Sequence, residues 1–130
     1  FFLPSVILEA KSFNQCVKDR NLNPFNQENA IVICSYHFAK AKSPYLKQSN
    51  FDLVVIDEAH RLRNVYKTSN KIAREIKDAI QDYPKILLAA TPLQNSLLEL
   101  YGLTSIIDDH IFGDLNSFKA NYAKVQREQK

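Results

Sequence analysis

The chain has 130 residues, of which 45% are apolar and 24% are charged, and this composition is that of one ordinary globular domain. No run approaches the ~20 apolar residues that cross a membrane, and the first residues lack the basic charge and the length of a signal peptide. The net charge of +3 permits a nucleic-acid partner without requiring one.

Short apolar runs separated by polar, helix-like stretches predict the secondary structure. The apolar runs predict four strands, which lie within residues 2–10, 30–35, 53–56 and 85–90. Helices are predicted in fragments between residues 11 and 29, over 36–48 with an interruption at Ser43 and Pro44, over 95–108, and from 115 onward. Strands that alternate with helices predict an α/β fold, with a mostly parallel sheet of about four strands flanked by helices.

The segment that follows the third predicted strand indicates a long helix over 68–82. Thr68 or Ser69 can cap its start, and Pro84 marks its end. Its apolar residues recur at helical spacing, and they are Ile72, Ile76, Ile80 and Tyr83.

The third predicted strand ends in two adjacent carboxylates, Asp57 and Glu58. The apolar run at 53–56 does not alternate with polar residues, which indicates a strand buried on both faces, as in a parallel sheet. Ligands of such sheets bind beyond the carboxyl ends of the strands. There Asp57 could hold a Mg²⁺ ion and Glu58 could orient or deprotonate an attacking water, which suggests nucleotide hydrolysis. The same two residues also fit an acidic helix start, which the helix dipole favours.

His60 and Thr91 are candidates for a connection between two strand ends. His60 lies three residues past Asp57, and Thr91 directly follows the fourth predicted strand. If the two strands are neighbours, their ends lie about 4.8 Å apart, and the Thr91 hydroxyl could hydrogen-bond His60 or Asp57. A plain strand-to-helix turn, with Asn95 as the helix cap, explains the same residues.

The small numbers of cysteine and glycine residues exclude some kinds of binding site from this chain. Cys16 and Cys34 are too few for a disulfide framework or a zinc site, which indicates reduced thiols in a cytoplasmic, intracellular protein. The two glycines, Gly102 and Gly113, do not lie in a strand-to-helix turn, so no glycine-rich phosphate cradle can be built from this chain. Since methionine is also absent, we expect an internal piece of a longer protein whose phosphate-binding loop lies outside it.

Three segments together resemble a known family. Residues 57–60 spell DEAH, and VIDEAHRLRN at 55–64 resembles the extended form of this box in Swi/Snf-type ATPases of helicase superfamily two. LLAATPLQN at 87–95 resembles the third helicase motif of the same branch, and ICSY at 33–36 resembles the segment that touches the nucleic-acid backbone. The resemblance covers roughly residues 30 to 120, and its motifs are specific to the Swi/Snf branch.

The resemblance implies roles for residues on both sides of the predicted sheet edge. Asp57 would hold the Mg²⁺ of MgATP, and Glu58 would prepare the attacking water. Ser35 and Tyr36 would face the phosphate backbone of one strand of a DNA duplex.

The same resemblance implies a coupling element. His60 and Thr91 would couple the nucleotide state to DNA and to the second motor lobe, and Gln94 and Asn95 would belong to the same element. The third motif departs from its commoner form because Ala89 stands where a hydroxyl residue is usual.

The expectation for the whole chain follows from these motifs and from what the chain lacks. Residues 1–130 would be the C-terminal part of the first RecA-like helicase ATP-binding domain of an intracellular, DNA-associated translocase, without the phosphate loop, the adenine-contacting motif or the second RecA-like lobe. This piece alone is expected not to hydrolyse ATP. Two alternatives stay open, which are another superfamily-two motor, such as a strand-separating helicase or a restriction-enzyme motor, and a non-catalytic protein-interaction lobe.

One further expectation concerns the fourth predicted strand. In RecA-like lobes the strand that carries the phosphate loop lies beside the strand of the third motif, here 85–90. Without that neighbour the apolar edge at residues 86–88 would be unpaired. We expect the fragment to self-associate through this strand, or its N-terminal residues to fold across it.

Overall fold

A computed structural model describes residues 3–62, 70–89 and 97–128. Four strands lie in these residues, and they are β1 (Ser5–Ile7), β2 (Ile31–Ile33), β3 (Val54–Ile56) and β4 (Lys85–Leu87). The helices are α1 (Ala10–Lys18), α2 (Tyr36–Ala41), α3 (Ser43–Lys47), α4 (Lys71–Ala79), α5 (Leu97–Ile107) and α6 (Leu115–Glu128). A short 3₁₀ helix, Ala59–Leu62, lies between β3 and α4. None of the described helices is long and apolar enough to cross a membrane.

The strands form parallel pairs, which confirms the predicted α/β class. β1 pairs with β2 so that Val6 faces Val32, and β3 pairs with β4 so that Val55 faces Ile86. Within the described residues the four strands therefore make two parallel pairs and not one continuous sheet. Helical segments connect the strands of each pair, as parallel strands require. Short parallel strand pairs flanked by helices are the architecture of a partial RecA-like lobe.

The expectation that the third strand is buried on both faces is wrong for the described part of the chain. Ile56 is buried, but the side chain of Val55 between its neighbours is 53% exposed. The other strands alternate in the same way, because the described core packs against one face of each pair. The exposed apolar residues of the strands and their ends include Ile7, Ile31, Ile33, Val55, Ile86 and Leu88.

The pairing of the N-terminal strand decides one of the two expectations for β4. β1 is hydrogen-bonded to β2, and the order of the strands leaves β4 with β3 as its partner. In the described residues, therefore, the N-terminal segment does not fold across β4, and that alternative is wrong. The physical reason is that the backbone of β1 is already hydrogen-bonded to β2, and this pairing continues beyond the strands through a hydrogen bond from the Leu8 N–H to the Ile33 carbonyl.

An aromatic cluster joins the first half of the chain to the helices after β2. Phe13 of α1 packs edge-on against Phe38 and Tyr45, with ring centroids 5.7 and 5.1 Å apart. Phe25, which is 2% exposed, lies against both Phe13 and Phe38. Aromatic pairs at these distances stabilise a fold beyond their buried area, so this cluster fixes α1 and the following loop onto α2 and α3.

The predicted interruption at Ser43 and Pro44 is confirmed, because α2 ends at Ala41 and α3 starts at Ser43 with proline in its first turn. The predicted helix over 68–82 is confirmed as the shorter α4. Its capping residue is Asn70, whose side chain accepts a hydrogen bond from the Ala73 N–H at 3.2 Å. Thr68 and Ser69 lie outside the described residues.

Candidate functional site

The acidic pair lies where β3 ends beside the end of β4. The Leu88 N–H donates to the Ile56 carbonyl at 2.9 Å, and the Ala59 N–H donates to the Leu88 carbonyl at 2.8 Å. These two hydrogen bonds continue the ladder past both strands and fix the turn that carries Asp57 and Glu58. Both acidic side chains are exposed, whereas Ala59 is fully buried behind them. The predicted location at the carboxyl ends of neighbouring parallel strands is confirmed.

The backbone at Glu58 adopts an uncommon conformation. Its φ is +52°, in the left-handed region that residues with a β-carbon rarely occupy. The Glu58 N–H donates to Oδ1 of Asp57 at 2.8 Å, and the Glu58 carbonyl accepts from the Arg61 N–H at 3.0 Å. Such backbone strain persists only where the surroundings hold it in place, and it clusters at functional sites. No pattern in the sequence indicates this conformation, because glutamate has no special preference for it.

Tyr36 connects the start of α2 to the acidic turn. Its hydroxyl donates a hydrogen bond to the main-chain carbonyl of Asp57. The guanidinium carbon of Arg61 lies 5.7 Å from the centroid of the Tyr36 ring, within the range of a cation–π interaction. Burial raises the pKa of the Tyr36 hydroxyl, the carboxylates of Asp57 and Glu58 also raise it, and the charge of Arg61 opposes them.

This contact places ends of the two strand pairs close together. Tyr36 follows β2, and Asp57 follows β3, so the carboxyl ends of these strands meet although the strands themselves are not hydrogen-bonded. Sequence reasoning put Tyr36 at the nucleic-acid backbone and missed both its hydrogen bond to Asp57 and the nearby Arg61. No local pattern in the sequence reports a contact across 21 residues.

Ser35 differs from its neighbours in exposure. It is exposed and caps α2, since its Oγ accepts a hydrogen bond from the Phe38 N–H at 3.1 Å. Cys34, one residue earlier, is a free, half-buried thiol, and burial raises its pKa. Of Cys34 and Ser35, Ser35 is therefore the residue that is open to solvent.

The coupling residues are only partly within the described residues. His60 is half-buried in the 3₁₀ helix, between the buried Ala59 and the buried Leu62 two residues later. Thr91, Gln94 and Asn95 lie outside the described residues, so their contacts stay a prediction. The premise of that prediction is confirmed, because β3 and β4 are hydrogen-bonded neighbours.

The donor set at the turn fits one kind of metal site. Within the described residues, no group of three or more histidine, cysteine, aspartate or glutamate side chains is arranged to hold a metal ion. A Mg²⁺ ion that arrives with a nucleotide does not need such a group, because one protein carboxylate, phosphate oxygens and waters complete its shell. The exposed carboxylate of Asp57 fits that contribution.

Parallel strand pairs flanked by helices, with an acidic turn where β3 ends beside β4, are the architecture of a partial RecA-like lobe. Residues 3–130 match the SNF2-related domain. The chain therefore belongs to the SNF2-related domain family, and the resemblance to Swi/Snf-type ATPases is confirmed.

Parts of several larger proteins are similar in sequence to this chain. The chain is 34% identical over 110 residues to mouse "DNA repair and recombination protein RAD54-like", an alignment that covers 80% of this chain and 14% of the relative. It is 34% identical over 100 residues to the Saccharomyces cerevisiae "ISWI chromatin-remodeling complex ATPase ISW1", covering 76% of this chain and 8% of the relative. With a Caenorhabditis elegans "Chromodomain-helicase-DNA-binding protein 3 homolog" the identity is 35% over 98 residues, covering 75% and 5%. The chain thus spans a small fraction of each of these proteins.

Proposed function

We propose that this chain is the C-terminal part of the first RecA-like lobe of an ATP-dependent DNA translocase of Swi/Snf type. One observation carries the proposal, which is the DEAH turn held at the carboxyl end of β3 by hydrogen bonds to Leu88 beyond β4. Ligands of parallel sheets bind at this edge. The names of the relatives, which include an ATPase and a helicase-DNA-binding protein, support the same class.

The acidic pair divides the chemistry of ATP hydrolysis. Asp57 would bind the Mg²⁺ of MgATP, an ion that neutralises charge on the phosphates when bound. Glu58 would orient the attacking water and accept its proton. Both carboxylates are exposed at the sheet edge, which leaves them accessible to a nucleotide.

The remaining candidates would connect this site to its partners. Ser35 and Tyr36 would face the phosphate backbone of duplex DNA, and Ser35 is the more exposed of the two. The coupling residues would transmit the nucleotide state to DNA and to the second RecA-like lobe, and they are His60, Thr91, Gln94 and Asn95. Contacts to phosphates are independent of base sequence and weaken with salt.

The chain alone is proposed to be inactive. Phosphoryl transfer needs a cradle of backbone amides and a lysine in addition to the metal, and the sequence contains no glycine-rich loop of this kind. A carboxylate in water does not hold MgATP without those contacts. The activity is therefore proposed for the full-length protein, in which other segments supply the loop.

The strand β4 is proposed to be a self-association surface of the isolated chain. It pairs with β3 along one edge, and in the described residues no strand pairs with the other. Ile86, in the middle of this strand, and Leu88, just beyond it, are 46% and 49% exposed. Unpaired apolar edges recruit strands of other molecules, and a second copy of the chain supplies an identical strand.

The test of the function uses the full-length protein and two matched substitutions. Glu58→Gln removes the base and keeps the side-chain shape, so we expect ATP hydrolysis to be lost while ATP binding is largely retained. Asp57→Ala should weaken MgATP binding as well, because it removes the metal ligand. ATP turnover and nucleotide affinity are measured with and without duplex DNA.

Two results would favour the alternatives. Normal hydrolysis in both variants would rule out the role of the DEAH turn and leave a protein-interaction lobe. Separation of the two strands of a duplex by the active protein would indicate a strand-separating helicase, and stimulation by duplex without strand separation supports translocation.

A further inference from the structure

Tyr36 stands between the residue proposed to meet DNA and the residues proposed to act on ATP. Its neighbour Ser35 is exposed and caps α2, whereas the Tyr36 side chain is half-buried against the acidic turn. The hydroxyl of Tyr36 donates to the carbonyl of Asp57. One residue thus spans the start of α2 and the end of β3.

The hydrogen bond of Tyr36 falls on the peptide group that joins the two acidic residues. The carbonyl of this group, which belongs to Asp57, accepts from Tyr36. Its N–H, which belongs to Glu58, donates to Oδ1 of Asp57 at 2.8 Å. The plane of the peptide is therefore held at both ends, and rotation of this plane would change the direction of the Glu58 side chain.

The conformation of Glu58 makes this restraint important. A φ of +52° is unfavourable for glutamate, so the turn relaxes if a restraint is lost. The Arg61 guanidinium lies near the Tyr36 ring, while the Arg61 N–H donates to the Glu58 carbonyl at 3.0 Å. Arg61 therefore contacts both the Tyr36 ring and the Glu58 backbone, so that the three residues form one contact network.

We propose that Tyr36 is a positioning residue that couples DNA binding to ATP hydrolysis by orienting the Asp57–Glu58 peptide. The proposal rests on the proposed function of the acidic pair. A shift of the start of α2 upon DNA contact at Ser35 is carried by Tyr36 to the Asp57 carbonyl and thus to Glu58. The hydroxyl of Tyr36 is the group that orients the peptide, because a phenyl ring without it would keep the packing but could not hydrogen-bond the Asp57 carbonyl.

The test compares two substitutions that each delete one tyrosine hydroxyl in the full-length protein. Tyr36→Phe keeps the ring beside Arg61 and removes only the hydrogen bond to Asp57. The matched control is Tyr83→Phe, because the Tyr83 hydroxyl also donates to main-chain carbonyls, those of Leu46 and Ser49, away from the acidic turn. Glu58→Gln and the unmodified protein establish that the measured hydrolysis comes from this site.

We expect Tyr36→Phe to lower the DNA-stimulated kcat about ten-fold, the effect of one lost hydrogen bond, with the KM for ATP and the DNA concentration for half-maximal stimulation within two-fold. Amide exchange measured without nucleotide should become faster at residues 58 and 59. Tyr83→Phe should change neither the stimulation nor this exchange, although it lowers the unfolding temperature.

Each result decides between the ideas. Stimulation and exchange in Tyr36→Phe that match the unmodified protein would overturn the coupling role, even with hydrolysis that depends on Glu58. An equal loss of stimulation in Tyr83→Phe would also overturn it, since the effect would then be general. If the unmodified protein does not hydrolyse ATP, or Glu58→Gln does not reduce hydrolysis, the proposed function fails and the coupling role fails with it, whereas faster exchange would still report the structural restraint.

Discussion

The left-handed backbone conformation at Glu58 leads to a quantitative prediction about the free energy of unfolding of two variants. Glu58→Gly and Glu58→Ala both delete the carboxylate, so the difference between them isolates the backbone. A residue with a β-carbon pays roughly 1–2 kcal/mol at a φ of +52°, and glycine does not. Glycine loses about 0.5–1 kcal/mol more conformational entropy on folding. The glycine variant should therefore be more stable than the alanine variant by about 1 kcal/mol.

Urea unfolding of the two variants, followed by far-ultraviolet circular dichroism, measures this difference. In thermal unfolding, a stability difference of about 1 kcal/mol corresponds to a change of about 4 °C in Tm for a chain of this size. The matched control is Glu75, an exposed residue inside α4, where the same pair of substitutions should have the opposite order because glycine costs about 1 kcal/mol in a helix. An alanine variant at 58 that is as stable as the glycine variant would refute the reasoning.

Three further predictions concern the isolated chain. It should hydrolyse no ATP above background in a coupled assay with or without duplex DNA, and turnover that disappears in Glu58→Gln would contradict this. Its self-association, measured by light scattering after size exclusion, should be lost in Ile86→Lys, which puts a charge in the middle of β4, whereas persistence of the larger species would move the interface elsewhere. The pKa of Asp114 is lowered chiefly by the hydrogen bond from the Ser117 side chain, so this carboxylate stabilises the fold above its unfolded-state pKa and loses that effect as the pH falls. Ser117→Ala should raise the pKa of Asp114 in an NMR titration, and an unchanged value would show that other donors set it.

Local sequence patterns predicted the elements well because each pattern acts over a few residues. The apolar runs located all four described strands, and Pro44 correctly divided α2 from α3. The start of α4 was less predictable, because several capping residues stand in a row and only the folded position of Asn70 decides among them.

The candidate site was predictable in its place and not in its geometry. The carboxylates Asp57 and Glu58 follow an apolar run, which is a local signal, and the structure holds them at the predicted strand end. The positive φ of Glu58 and the hydrogen bond from Tyr36 depend on residues far along the chain. The exposure of Val55 was mispredicted because an apolar run does not report how many faces of its sheet are covered.

The burial of Ala59 has a consequence for how the acidic motif tolerates mutation. Ala59 has no exposed surface, and its N–H is bonded to Leu88, so a larger side chain there would displace the end of β4. The two residues before it are exposed, and their side chains can change without disturbing the core. In a library of single variants scored by protein abundance, position 59 would therefore be restricted to small residues, whereas side-chain size would not limit positions 57 and 58, although a library scored by turnover would restrict all three. The residue at position 59 is limited by the space in the core, whereas the residues at positions 57 and 58 are limited by the chemistry proposed for them.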